Sequence, residues 1–199
     1  MKSDVRVTDF KTFDIKMLHW NINGVKNKFS SEFVGKLIED IDILIIQETH
    51  FNIRTKCPEN FYLVDRSKAL PSKRPRGGVA IYQSFNCKVK LQELDVDIDD
   101  CVVAEICDSN IVIAAFYIPP NTSVYFKKDY FTKLQSFLDT YLRYRDIIIV
   151  GDLNARAGDN LCHADYTYSA NPDRGMNQYG KVLKDILTDY DQVVLINGL

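Results

Sequence analysis

The chain has 199 residues, is 46% hydrophobic and 26% charged, and carries a net charge of −2. That length fits one domain burying about 70% of its unfolded surface. The near-neutral charge excludes capture of nucleic acid by a whole-molecule field, so any polyanion has to meet a local patch. Five scattered cysteines without a Cys-x-x-Cys pair argue against a disulfide framework or a zinc site and fit a reducing compartment. No apolar run approaches a membrane span, and the polar start MKSDVRVTDFKTFD does not read as a signal peptide, so we expect an intracellular protein with no membrane partner.

In chain order, residues 1–12 read as a poorly ordered lead-in. Ile15 to Trp20 alternates as a strand and runs into Asn21-Ile22-Asn23-Gly24, two carboxamides at i and i+2 before a glycine. Ser30 and Ser31 offer caps for a helix whose apolar face is Phe33, Val34, Leu37, Ile38 and Ile41. A β-branched run from Ile41 to Ile46 ends in Gln47-Glu48-Thr49-His50. Phe51 to Arg76 shows little regular pattern. Its second half, RSKALPSKRPR, carries Arg66, Lys68, Lys73, Arg74 and Arg76 without an acidic residue, and Pro71 and Pro75 keep it out of a helix. Gly77-Gly78 opens a strand, VAIY, with Cys87 to Leu94 as its expected hairpin partner. Asp95 to Asp100 reads as a solvated edge or turn. Val102–Ile106 and Ile111–Tyr117 flank Asp108-Ser109-Asn110, a hairpin turn signal, and Pro119-Pro120 stop the second strand.

Phe126 to Tyr144 is the longest helical pattern, with Phe126, Tyr130, Leu134, Phe137, Leu138 and Tyr141 spaced by three and four. Ile147 to Val150 is a short β-branched run that reads as a strand buried on both faces. Gly151 ends it, and Asp152 and Asn154 follow. On an extended backbone both side chains would point the same way, but Asp-x-Asn is also ordinary turn chemistry. Ala155 to Met176 reads as a loop, Asn177 to Leu187 as a helix, and Val193 to Ile196 as one more strand. Strands alternating with helices, with hairpins among them, imply an α/β layered fold with mixed sheets.

Four strands thus end in polar residues: Asn21 with Asn23, Glu48, Tyr117, and Asp152 with Asn154. Two carboxylates with carboxamides, and no cysteine or histidine cluster, form a hard-oxygen donor set suited to Mg²⁺ or Mn²⁺. Mg²⁺ typically takes one or two protein carboxylates and leaves positions for water and phosphate. Composition and spacing lead this far, to a Mg²⁺ phosphoesterase site.

The segments HWNING, IIQETH, GGVAIY, FYIPP and VGDLNAR, in that order, resemble the endonuclease/exonuclease/phosphatase (DNase I-like) superfamily over residues 13–199. NQYGKVLKDILTDYDQVVLING further resembles the endonuclease domains of non-LTR (LINE-type) retrotransposons. The resemblance implies an α/β (α+β) four-layer sandwich, two mixed β-sheets packed together with helices outside. It implies DNA as substrate, in-line attack of water on a phosphodiester, and Mg²⁺ (or Mn²⁺) as cofactor. Residue by residue, it makes Glu48 the metal-binding glutamate and Asn21 the asparagine beside the metal. Asp152 would position or deprotonate the water and assist at the metal, with Asn154 as its partner at the phosphate. Tyr117 would contact the scissile phosphate. Asn23 stands where many members have aspartate. The basic run itself, apart from the resemblance, offers Arg74 and Arg76 as substrate-binding candidates, with Lys26 and Lys28 as further candidate phosphate contacts, against the alternative of an ordinary solvated surface. A downstream reverse transcriptase domain and a nuclear location would accompany such a nuclease acting on chromosomal DNA.

The family closes with a Ser-Asp-His motif, whereas this chain has only His19, His50 and His163, none after an aspartate. The expectation is therefore a domain incomplete at its C-terminus, with impaired catalysis and with the Val193–Ile196 strand left as an exposed edge. His50 is expected to be structural, and His19 and His163 bystanders. Two other readings stand beside the nuclease: a phosphatase of the same fold acting on lipid or nucleotide phosphates, which Arg156 after Gly-Asp-Leu-Asn would fit, and a catalytically dead module that binds nucleic acid.

Overall fold

The computed structural model of the chain describes residues 14–51, 55–67, 77–143, 145–156, 175–190 and 193–197. Nine strands and three helices lie among these residues, and the strands form two sheets. The first sheet holds β1 (Met17–Asn21), β2 (Ile43–Gln47), β4 (Val79–Ser84) and β3 (Phe61–Arg66), in that spatial order. The second runs β5 (Leu91–Leu94), β6 (Cys101–Ile106), β7 (Ile111–Tyr117), β8 (Asp146–Asp152) and β9 (Val193–Asn197). Both sheets are mixed: β1 and β2 are parallel, as are β7, β8 and β9, while the other neighbours are antiparallel. The helices are α1 (Glu32–Ile38), α2 (Tyr130–Tyr141) and α3 (Gln178–Thr188).

Three apolar clusters separate four layers. Alternate residues of a strand point to opposite faces, and the strands here are apolar on both. Ile43, Ile45, Val79 and Ile81 face Val102, Ala104, Ile113, Ala115 and Val150 between the sheets. Leu44, Ile46, Ala80 and Tyr82 turn outward against Val34 and Ile38 of α1. Val112, Ala114, Phe116, Ile147 and Ile149 turn outward on the other side, against Leu134 and Leu138 of α2 and Leu183 of α3. The expected four-layer sandwich is the observed architecture.

Several local expectations change. Phe33 of α1 is 72% exposed and Leu37 is exposed too. The helix has only seven residues, so one i, i+4 pair, Val34 and Ile38, meets the sheet. Ser31 sits at the N-cap position but makes no side-chain cap bond, and Ser30 Oγ donates to Asn27 O at 2.9 Å. Helix α2 starts at Tyr130, not Phe126, because the preceding chain is closed into turns by Ser123 N to Pro120 O (2.8 Å) and Phe126 N to Ser123 O (3.1 Å).

The patternless stretch after Phe51 contains β3. A register shift between Leu63 and Asp65 inserts Val64 as a bulge. Phe61 and Leu63 pack outward while Val64 packs between the sheets, so apolar residues on both faces leave no apolar–polar alternation to reveal the strand. Cys87–Leu94 is not the hairpin partner of β4. β5 pairs with β6 in the other sheet. The buried Gln83 amide directs this crossing: it donates to Val89 O and accepts from Leu91 N at 2.9 Å. Asp100, expected in a solvated turn, is 4% exposed. Strand β9 lies at the end of its sheet among the described residues, with Val193 and Leu195 buried in the outer core. No helix among the described residues is long and apolar enough to cross a membrane.

The burial contrast gives a direct test. Leu134→Ala removes a fully buried side chain and should cost about 2–5 kcal/mol. Phe33→Ser should change stability by less than about 0.5 kcal/mol. Urea unfolding followed by circular dichroism measures both.

Candidate active site

Strand direction brings the polar strand ends together. β1 and β2 are parallel, with Asn21 opposite Gln47; β7 and β8 are parallel, with Tyr117 opposite Asp152. Parallel pairing puts the carboxyl ends of both strands at one edge of each sheet. Side-chain parity then chooses the face. Ile113, Ala115 and Tyr117 all join the core between the sheets, as does Val150, two residues before Asp152. The inward rows of both sheets therefore finish in polar groups at the mouth of the same cleft.

The first and last of these strands end in the same turn. Asn21 Oδ1 accepts from Asn23 N at 3.2 Å, and Asp152 Oδ1 accepts from Asn154 N at 3.0 Å. Asn23 and Asn154 both have φ 47°, the left-handed region that asparagine tolerates better than most residues. The residues between, Ile22 and Leu153, are buried as anchors. The backbone thus does not stay extended through Asp152-Leu153-Asn154, and the turn reading of Asp-x-Asn holds alongside the site reading. Each turn engages one oxygen of its first residue and leaves that residue's other polar atom for the cleft.

Those remaining atoms meet. Asn21 Nδ2 donates to Asp152 Oδ2 at 3.0 Å and to Glu48 Oε1 at 3.1 Å. Tyr117 OH donates to the same Glu48 oxygen at 2.8 Å. Glu48 leaves the line of β2 with φ 50°, which turns its carboxylate toward the second sheet. Burial, then the bond to Glu48, then the charges of Glu48 and Asp152 push the Tyr117 phenol far up, so it remains a donor at neutral pH.

A cavity of about 250 Å³ opens beside these groups, lined by Glu48, His50, Asp100, Tyr117, Ser123 and Tyr125 among others. His50, expected to be structural, is on this wall, its Nε2 3.9 Å from Glu48 Oε2. His19 is half-buried beneath the mouth; burial lowers its pKa, with Gln47 and the charge of Asp152 opposing. His163 lies outside the described residues.

The structure brings Asn21, Glu48, Tyr117 and Asp152 into one bonded cluster. Asn154 sits beside it but turns Nδ2 to Ile118 O at 2.9 Å, and Asn23 contributes its backbone to the turn. Lys28 Nζ donates to Ile22 O and to Asn23 O, so it buttresses that turn. The guanidinium of Arg66 lies 5.3 Å over the Phe51 ring. Lys68, Lys73, Arg74 and Arg76 fall outside the described residues. Sequence reasoning missed Asp100 and Asn177. Asn177 caps α3 through Gly180 N (2.7 Å) and holds the segment after Asp152 through Arg156 N (3.1 Å) and Asn154 O (2.9 Å). The Asp100 signal was available: in an antiparallel hairpin the residue before β6 sits beside the end of β7.

The donor set suits a hard cation. Two carboxylates from different sheets share one amide nitrogen, so their oxygens lie close without touching. Among the described residues no group of three or more His, Cys, Asp or Glu is placed to hold a metal.

Two mixed sheets with helices on both outer faces, and an acid–amide–phenol cluster where their strands end, define a DNase I-like fold with a hydrolase-type cleft. The chain belongs to the endonuclease/exonuclease/phosphatase family, whose model matches residues 18–175. No curated protein matches the chain in sequence. Solved structures share its fold. An AP endonuclease from Archaeoglobus fulgidus is 21% identical over 87% of this chain and 70% of that one, with a TM-score of 0.57. A 3′-5′ exonuclease from Neisseria meningitidis is 20% identical over 86% and 71%, with a TM-score of 0.54. A 3′ phosphatase from Neisseria bound to product DNA hairpin is 17% identical over 91% and 76%, also at 0.54.

The paired turns predict different outcomes for their second residues. Asn23→Gly, which accepts the left-handed φ without strain, should change stability by less than about 0.5 kcal/mol. Asn154→Ala leaves Ile118 O without its side-chain donor and puts into the left-handed region a residue that tolerates it less well than asparagine, costing about 1–3 kcal/mol. Urea midpoints distinguish the two.

Proposed function

We propose that this chain is a metal-dependent phosphodiesterase that nicks DNA, of the type found in non-LTR retrotransposons, with residues 13–199 forming its nuclease domain. The observation that carries the reading is the Asn21 amide bonded at once to Glu48 and Asp152 across the two sheets. In this reading Glu48 and Asp152 hold Mg²⁺ or Mn²⁺, with Asn21 beside it. A bound divalent cation would supply charge stabilisation at the phosphate and at the leaving oxygen.

Asp152 orients the attacking water and accepts its proton. Tyr117, kept protonated by burial, turns its O–H from Glu48 to a phosphate oxygen when substrate arrives. One N–H of Asn154 is engaged by Ile118 O; an amide nitrogen has two, and the second reaches the phosphate. The retrotransposon assignment is supported by the likeness of the segment NQYGKVLKDILTDYDQVVLIN, which carries α3 and β9. Its partners are then duplex DNA and a reverse transcriptase domain in the same polypeptide, acting in the nucleus on chromosomal DNA.

A supercoiled-plasmid assay tests the chemistry. With Mg²⁺ the chain should convert supercoiled plasmid to open circle, and Asp152→Ala and Glu48→Gln should abolish the conversion. Lacking a Ser-Asp-His motif, the 199-residue chain should be slower by about 10²–10³ than a version bearing that segment from a relative. Nicking by wild type that both variants retain would refute the assignment of Glu48 and Asp152.

The basic stretch is proposed as the backbone grip. Replacing Arg66, Lys68, Lys73, Arg74 and Arg76 with serine should flatten the salt dependence of duplex binding, each lost phosphate contact removing about 0.9 from the log–log slope. An unchanged slope in fluorescence anisotropy titrations would take this stretch out of the interface.

A further inference from the structure

We infer that Asp100 is a positioning residue, whose buried carboxylate clamps the Glu48 loop of one sheet to the Tyr117 end of the other. The inference rests on the reading of the cleft as a phosphodiesterase site and extends it to a residue outside the reacting cluster. Asp100 precedes β6 with φ 48°, a left-handed turn that directs its side chain back toward Gly77-Gly78. Gly78 N donates to Oδ1 at 3.0 Å, and Tyr130 OH of α2 donates to Oδ2 at 3.3 Å. The backbone carbonyl of Asp100 accepts from Tyr117 N at 2.9 Å.

The glycine pair grips the Glu48 loop in turn. Thr49 N donates to Gly78 O and His50 N to Gly77 O, both at 3.1 Å. A closed circuit results: Glu48 loop, glycine pair, Asp100, Tyr117, and back to Glu48 through the 2.8 Å phenol bond. The circuit has no room for larger residues. A Cβ on Gly77 would lie 3.0 Å from Asp100 Oδ1, and one on Gly78 would lie 2.5 Å from Thr49 Oγ1, with φ +61° and +89° at the two glycines.

A carboxylate at 4% exposure is an expensive choice where core packing alone would favour an apolar residue. Burial raises its pKa against the bonds from Gly78 and Tyr130. What an apolar residue cannot do is accept from a backbone N–H of one sheet and a phenol of the covering helix together. Both Asp100 oxygens are directed at protein donors, so Asp100 acts through Glu48 and Tyr117 and does not itself touch the phosphate.

Backbone amide exchange by NMR, on the full chain without DNA or metal, reads the clamp independently of activity. Asp100→Ala should speed exchange at Thr49, His50 and Gly78 by about tenfold or more, leaving the sheet-centre amides of Leu44 and Ile113 as in wild type. Asp100→Asn keeps an acceptor for Gly78 N–H and should recover most of that protection. Tyr130→Phe removes only the donor to Oδ2 and should speed the same amides less; it serves if Asp100→Ala does not fold. In the nicking assay Asp100→Ala should lower kcat roughly 10- to 100-fold with KM for DNA unchanged. Adding Tyr117→Phe should then cost little more, because both act on one arrangement. Unchanged exchange at Thr49 and His50 in whichever variant folds overturns the clamp. A wild-type chain that cuts no DNA overturns the nuclease reading alone, and the exchange pattern still decides the clamp.

Discussion

Asn21 Nδ2 stands between two carboxylates that belong to different sheets, and the cleft is organised around that contact. Two like charges at this spacing repel, more strongly as water is excluded. A neutral amide offsets part of the repulsion with its donor hydrogens while leaving both formal negative charges in place. A lysine there would cancel one of them and occupy the place of a cation. The amide therefore keeps the two sheets joined at their mouth and, in the proposed reading, leaves both carboxylates available to a divalent ion.

The contact is possible because the two sheets end their key strands alike. An Asx turn at Asn21-Ile22-Asn23 and another at Asp152-Leu153-Asn154 engage one oxygen of the first residue and bury the second. The third residue takes the same left-handed φ in both. This fixes the rotamers of Asn21 and Asp152 before any ligand arrives, which is the pre-organisation a charge-stabilising site requires. Asn177 then secures the second turn from α3, so the helix after the loop helps to hold the residue at the cleft.

Much of this was legible in the chain. β2 and β8 announce themselves because strands buried on both faces need continuous apolar runs, and Ile43–Ile46 and Ile147–Val150 supply them. The β6–β7 hairpin follows from its turn residues. Where the text fails, a physical cause is visible. β3 hides because Leu63 and Val64 are apolar on opposite faces, which leaves no alternation to read. The partner of β5 is set by a buried glutamine side chain, Gln83, that no strand pattern encodes. Asp100 was lost inside the acidic run DVDIDD, since composition cannot separate the one aspartate turned inward from its solvated neighbours. Phe33 looked like core because a seven-residue helix offers too narrow a stripe for the periodicity to resolve.

Among the described residues the sheets divide the chain: β1 to β4 build one and β5 to β9 the other, with a single passage between them after Ser84. Asn21 and Glu48 belong to the first half, Tyr117 and Asp152 to the second. Neither half can assemble the cleft by its own folding, so the bonded cluster comes into being only when the halves dock. A chain opened at the exposed Phe85-Asn86 turn would yield two fragments, one carrying β1 to β4 and the other β5 to β9, and their association would be read by the return of the bond between Asn21 of one and Asp152 of the other.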